Sequence, residues 1–218
     1  MPNGPTTDEP FLYAVKYYYQ SGFTGTIPLP AGLKGPPPKG FTGARGKPPS
    51  IADIKEWCDS HHDKFVDKGN IGLRLSKVEV PDNVELPAVY GGQIVTGWEL
   101  IGIDVDNYKD KDGYKQLQDI ENNLGKLPPT VRSSSRWDSG TTSYIALYLV
   151  PAGYRFLGKA SSNIDIIQKR HRFMVVYPSI NPDANDARYE WRDAEFEPME
   201  YPTLSMVQVL PEPWFNYL

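Results

Sequence analysis

Two aspartates one residue apart close an apolar run, Leu100-Ile101-Gly102-Ile103-Asp104-Val105-Asp106, and a third acid lies in Asn163-Ile164-Asp165-Ile166-Ile167. Alternate side chains of an extended strand share a face, so Asp104 and Asp106 project the same way and can grip one cation or a pair of cations. Mg2+ takes hard oxygen ligands of this kind, held by one or two carboxylates and completed by substrate phosphates. An Asp-x-Asp on its own also fits a solvated strand end. Asp165 extends the chemistry, because a carboxylate inside a β-branched apolar strand is costly unless a metal or another cation partners it. Two strands delivering three acids to one point is the layout of two-metal phosphoryl and nucleotidyl transfer. The alternative partner for Asp165 is a salt bridge to Lys169, Arg170 or Arg172.

The basic stretch Gln168-Lys169-Arg170-His171-Arg172-Phe173 follows the third acid directly. Phosphates need countercharge, and arginine holds phosphate oxygens in a two-pronged fork. As a strand the stretch turns Lys169, His171 and Phe173 one way and Arg170 and Arg172 the other. His171 is then the candidate for nucleotide contact. Ser133-Ser134-Ser135-Arg136 and Ser139-Gly140 offer hydroxyls, an amide-rich turn and a guanidinium to a nucleotide, and read equally as a solvated turn. His61-His62 has no Glu or His at metal-binding spacing and reads as structural. No Ser-His-Asp arrangement, Walker loop or dinucleotide fingerprint is present.

The elements that must position these residues follow from periodicity. Phe11, Ala14, Val15 and Tyr18 predict a helix over 8–20, capped by Thr7 or Asp8. Ser50 caps a second over 51–65, with Ile51, Ile54, Trp57, Cys58 and His61 on its core face. Strands are expected at 70–76 and 99–105, then a helix at 110–124 stopped by Gly125. Short strands follow at 130–135, 143–150, 164–168, 172–177 and 188–192. From Gly22 to Pro49 the composition turns to Gly and Pro and predicts no regular element. Its Lys34, Lys39, Arg45 and Lys47 suit either a linker or a loop that touches phosphate. The expected fold is α+β with an antiparallel-leaning sheet.

Composition narrows the options. The chain has 218 residues, 39% of them hydrophobic, which suffices for one compact unit with a real core. Cys58 is the only cysteine, so neither an intrachain disulfide nor a multi-cysteine zinc site can form. A net charge of -4 argues against strong nonspecific binding to nucleic acid, although a local basic groove can coexist with it. No stretch approaches the roughly 18 apolar residues of a membrane helix, and the start lacks a signal peptide's layout. A cytoplasmic protein is expected. Leu210-Pro211-Glu212-Pro213-Trp214 reads as a domain edge, from which the chain is expected to be the front of a longer protein.

Taken in order, Ile27-Pro28-Leu29-Pro30, Lys39-Gly40-Phe41-Thr42-Gly43, Gly46-Lys47-Pro48-Pro49-Ser50, Asn70-Ile71-Gly72-Leu73-Arg74-Leu75, the Asp104-Val105-Asp106 strand, Ser135-Arg136, and Asp165 leading to His171-Arg172 and Val176-Tyr177-Pro178-Ser179 span about 11–191. This ordered set resembles the N-terminal domain of bifunctional primase-polymerases, within the archaeo-eukaryotic primase superfamily of phage and plasmid replication proteins. The resemblance implies an RRM-like catalytic sheet, mixed or antiparallel, packed with helices against an N-terminal α/β lobe, all within one catalytic domain over 1–218. It implies Asp104, Asp106 and Asp165 as ligands of Mg2+ or Mn2+. It places Ser135, Arg136, Ser139, Gly140 and His171 on the nucleotide, and Lys39, Arg45, Lys47, Arg74, Arg170 and Arg172 on DNA. The implied partners are a single-stranded DNA template, dNTP or NTP substrates and a helicase domain further along the same polypeptide, in a bacterial host cell. Many relatives carry a Ser-x-His between the two acidic motifs, where this chain has Ser135-Arg136. Arg136 or His171 is expected to take over that histidine's contact.

Two other readings share some residues. A glycosyltransferase binds a sugar nucleotide through a metal on Asp-x-Asp, but does not account for Asp165 and its basic sequel. A metal-independent module binding single-stranded or origin DNA does not account for three retained acids.

Overall fold

The computed structural model describes residues 6–59, 68–137 and 143–218. Helix α1 (Pro10–Gln20) starts on Pro10, whose fixed φ suits a first helical position, and buries Phe11, Ala14, Val15 and Tyr18 as the periodicity predicts. Its cap position is Glu9, one residue beyond the expected Asp8, and carries no side-chain capping bond. The Gly/Pro segment holds a strand after all, β1 (Thr26–Ala31). Its prolines hid it from a sequence reading, yet Ile27 and Leu29 are fully buried and the strand lies at a sheet edge, where missing N–H groups do little harm. Helix α2 (Ile51–Asp59) opens on a reciprocal cap in which Ser50 Oγ accepts from Asp53 N at 3.1 Å and Asp53 Oδ2 accepts from Ser50 N at 2.8 Å. The expected core face of α2 is corrected: Ile51 is 63% exposed and the helix buries no residue fully. Ile54, Trp57 and Cys58 pack only partly against the core, while His61 and His62 lie outside the described residues.

The chain continues through β2 (Gly69–Leu73), β3 (Lys77–Val78), a hairpin of β4 (Val89–Tyr90) and β5 (Gln93–Ile94), the long β6 (Trp98–Val105), and helix α3 (Gly113–Leu124). Gly125, with φ 89°, ends α3. Then come β7 (Arg132–Ser134), β8 (Tyr144–Pro151), β9 (Lys159–Ser161), β10 (Ile164–Ile167), β11 (Met174–Val175), β12 (Ile180–Asn181), β13 (Ala187–Arg188), β14 (Glu190–Arg192), β15 (Pro198–Met199), β16 (Gln208–Val209) and helix α4 (Glu212–Tyr217). The tail expected as a domain edge is a packed element whose Trp214 is fully buried.

A small antiparallel sheet runs β1-β2-β11, and a large one runs β15-β14-β7-β8-β6-β10-β9. All pairings along these two paths are antiparallel, while β16 adds to β8 in parallel. The architecture is the expected α+β class. Period-two alternation divides the large sheet's central strands between two cores. Ile101, Ile103, Val105, Ile164 and Ile166 face α3 and α4, with Leu117 and Trp214. Leu100, Leu147, Leu149 and Ile167 face the other way, into the core built from α1, β2 and β11. Gly102 lies between Leu100 and Asp104 on this second face. A Cβ there would come within 2.8 Å of Ile145 Cγ2 and 3.3 Å of Leu75 Cδ1, so glycine is what allows this layer to close.

Candidate active site

The same alternation that sends Ile103 and Val105 into one core turns Asp104 to the opposite face, toward the small sheet. β10 pairs antiparallel with β6 in a register that sets Asp165 directly across from Asp104. Asp106, just past the end of β6, lines the same cavity of about 620 Å3. The three acids expected from the sequence are therefore brought together between the two sheets. Burial and the neighbouring Asp106 and Asp165 charges push the Asp104 carboxyl up to about 7, against the pull of Arg172 and Lys111.

Each flanking acid is engaged by a cation. Asp106 takes a charged hydrogen bond from Lys111, and Asp165 one from Arg172 through Oδ2. The Lys159 ammonium stands 3.1 Å from Asp165 Oδ1, yet that buried oxygen has no properly aligned hydrogen bond. With the carboxylates so held, no group of three Asp, Glu, His or Cys among the described residues closes on a common metal position. The donor set nonetheless suits a hard divalent cation: a crowded buried carboxyl, an orphaned carboxylate oxygen, and flanking oxygens held by long side chains that can swing away.

Beside the acids a smaller recess of about 120 Å3 collects Ser135, Arg136, Tyr108, Asn181 and Tyr189. Ser135 Oγ accepts from Asn181 Nδ2 at 2.7 Å. The Arg136 guanidinium lies 4.5 Å over the Tyr108 ring and donates to the Asp183 carbonyl. Burial pushes the Tyr189 hydroxyl up to about 12, with the Ser135 hydrogen bond pulling down and the Asp104 charge pushing up, so it remains a neutral donor. Lys34 also lines both cavities and is bridged to Asp183 at 2.9 Å. Ser139 and Gly140 lie outside the described residues.

The basic residues distribute differently from expectation. Residues 168–172 form a turn beyond β10, closed by His171 N donating to Gln168 O at 2.9 Å, so strand alternation does not order them. Lys169 bonds Glu99, Arg172 turns to Asp165, and His171 reaches the carboxylate cavity. Arg74, expected on DNA, is only 5% exposed and cannot reach a strand. Its guanidinium donates to the carbonyls of Phe41 at 2.8 Å, Gly46 at 2.6 Å, Lys47 at 2.6 Å and Lys169 at 2.9 Å. With no carboxylate in the set, it acts as a cationic pin that ties loop 40–47 to the 168–172 turn. Lys39, just before that loop, and Arg45 and Lys47 within it are exposed to solvent, although Lys47 is bridged to Asp53 at 3.0 Å.

Sequence reasoning missed Tyr108, Lys111, Lys159, Asn181 and Tyr189 as site residues. Tyr108 and Lys111 lie two and five residues after Asp106 and could have been flagged as its neighbours; Lys159, Asn181 and Tyr189 become neighbours of the acids only through strand pairing and loop return.

The family model for bifunctional DNA primase/polymerase, N-terminal, matches residues 14–204. No curated protein and no solved structure matches the chain.

Proposed function

The chain belongs to the bifunctional DNA primase/polymerase N-terminal family, and from that membership we propose that its carboxylate cavity carries out template-directed nucleotidyl transfer on single-stranded DNA, both priming and extending. The observation that supports this most is the register of β6 against β10, which sets Asp165 across from Asp104 beside a recess rich in hydroxyls and cations. Asp104, Asp106 and Asp165 are the residues that would hold Mg2+ or Mn2+. Such ions, when bound, stabilise the attacking 3′-oxygen and the leaving pyrophosphate.

The remaining work belongs to the chain. No side-chain nucleophile is needed, because the attacking hydroxyl is the substrate's own. Lys111, Lys159 and Arg172 neutralise the acids in this structure, and once a metal takes over the carboxylates these cations would pass to triphosphate oxygens. Ser135, Arg136 and His171 take the nucleotide, with Tyr108 offering a ring face and Tyr189 a neutral hydroxyl. Ser139 and Gly140 join this contact on the chemistry of their residue types in the sequence. Lys39, Arg45 and Lys47 line the path of the template backbone, where their contacts make binding salt-dependent. For priming, the first hydroxyl comes from a second nucleotide, so the cleft must hold two nucleotides against the template. To the same reading belong an RRM-like arrangement of the large catalytic sheet, one two-lobed catalytic domain, and a helicase segment in the full-length protein.

The test is incorporation of labelled nucleotide on single-stranded DNA, with and without an annealed primer, in Mg2+ or Mn2+. Wild type is expected to extend, and Asp104→Ala and Asp165→Ala to lose about a thousandfold or more while keeping their fold. Product without primer adds priming. A wild-type protein that binds DNA but incorporates nothing with either metal would replace this reading with a binding module, and sugar-nucleotide turnover without DNA would replace it with a glycosyltransferase.

A further inference from the structure

Beyond the carboxylate cavity lies a second cavity of about 320 Å3, walled by Ala44, Arg155, Phe156, Gly158, Arg170 and His171. The two are neighbours: His171 lines both, and loop 40–47 gives Thr42 to the first and Ala44 to the second. Their electrostatics are opposite. In the carboxylate cavity Lys159 and Arg172 are bound to Asp165 and Lys111 to Asp106. In the second cavity no acid lines the wall among the described residues, and neither Arg155 nor Arg170 has a hydrogen-bonding or ionic partner there.

The wall between these guanidinium groups is rigid and largely apolar. The buried Gln168 amide donates to Phe156 O at 2.9 Å and accepts from Phe156 N at 3.2 Å, which fixes the Phe156 backbone against β10. Gly158 allows the His171 ring to lie against the chain, since a Cβ there would come within 3.1 Å of His171 Cε1. The Phe156 ring is packed into the core against Phe215, so the ring left to a ligand is the His171 imidazole, and unpaired guanidinium groups beside it match a nucleotide: phosphate on the arginines, base or sugar against the imidazole. We infer that this cavity is a nucleotide-phosphate subsite, holding the nucleotide next to the one at the carboxylates. Its purpose rests on the nucleotidyl-transfer reading, but its ligand chemistry does not. The phosphate comes either from the DNA strand or from a second free nucleotide.

The experiment compares wild type with Arg155→Gln/Arg170→Gln in chelator, where no catalysis occurs. Binding of an oligothymidylate is followed by fluorescence anisotropy across a salt series, and binding of free GTP by calorimetry. A strand phosphate predicts weaker oligonucleotide binding and a salt slope flatter by about 0.7 per lost contact, with GTP affinity unchanged. A free nucleotide predicts the reverse, a loss of about tenfold or more in GTP affinity with the DNA slope preserved. Lys16→Gln/Lys126→Gln, which removes two exposed cations elsewhere, should change neither. Ala44→Asp places a carboxylate at the mouth without touching the arginines and should reproduce the loss, which keeps the test decisive if the arginine variant misfolds. Unchanged binding in folded variants, an equal loss in the lysine control, or wild type binding neither ligand would overturn the subsite. Failure of incorporation alone would overturn the nucleotidyl-transfer reading and leave this measurement intact.

Discussion

In the carboxylate cavity Asp104 and Asp165 are delivered by strands, while the bases, Lys159 in β9 apart, come from turns and loops, and the two sets differ in how firmly position follows from sequence. Asp104 and Asp165 occupy alternation positions in β6 and β10, so backbone pairing alone places them opposite one another. Lys169, Arg170, His171 and Arg172 are consecutive, yet they go to Glu99, the second cavity, both cavities and Asp165 respectively. A strand has one pattern for its side chains, whereas a turn distributes them by local dihedral angles. The acids therefore form a site whose geometry is built in, and the bases form walls whose geometry depends on what pins the loops.

The largest expected effect tests that pin. Arg74→Ala leaves four carbonyls without their donor and should cost about 3 kcal/mol or more in urea denaturation, with loop 40–47 losing hydrogen-exchange protection before the sheets do. If stability and exchange stay at wild-type levels, the walls are not held from inside and the contrast fails. Asp104→Asn probes the other side. Its folded carboxyl, raised to about 7, keeps a proton that the unfolded chain releases near pH 4. Folding stability from this group is therefore full below about pH 4, falls as pH rises toward 7 and levels off above that. In chelator the Asn variant should melt above wild type by an amount that grows over that window, and Mg2+ should narrow the gap by stabilising only wild type. A pH-independent difference would show that the acids do not crowd one another. The smallest effect is Lys159→Gln. This exposed cation competes for Asp165, and its removal should tighten Mn2+ binding about threefold in an EPR titration, the scale of one surface ion pair. Weaker Mn2+ binding would mean that Lys159 organises the acids rather than competing for them.

Much of the site was legible in advance, for reasons that differ by element. The Asp-x-Asp at the end of an apolar run and the lone acid between β-branched residues are local patterns, and β6 and β10 follow within a residue of expectation. The salt bridge weighed as an alternative for Asp165 is also present, through Arg172. Strand β1 was hidden because prolines argue against a strand until an edge position is known. Ile51 reads as core on helical periodicity, yet it lies largely exposed.

Arg74 marks the limit most clearly, because an arginine in a motif of a nucleic-acid enzyme suggests phosphate. Only the return of loop 40–47 and the 168–172 turn to one point reveals that its partners are carbonyls. What the sequence by itself determined is the sheet class, the two acidic strands and the face their acids share, since alternation along a strand is a property of the backbone. What only the tertiary structure decided is which cation neutralises which acid and which arginines stay unpaired, since those depend on distances between segments far apart in the chain.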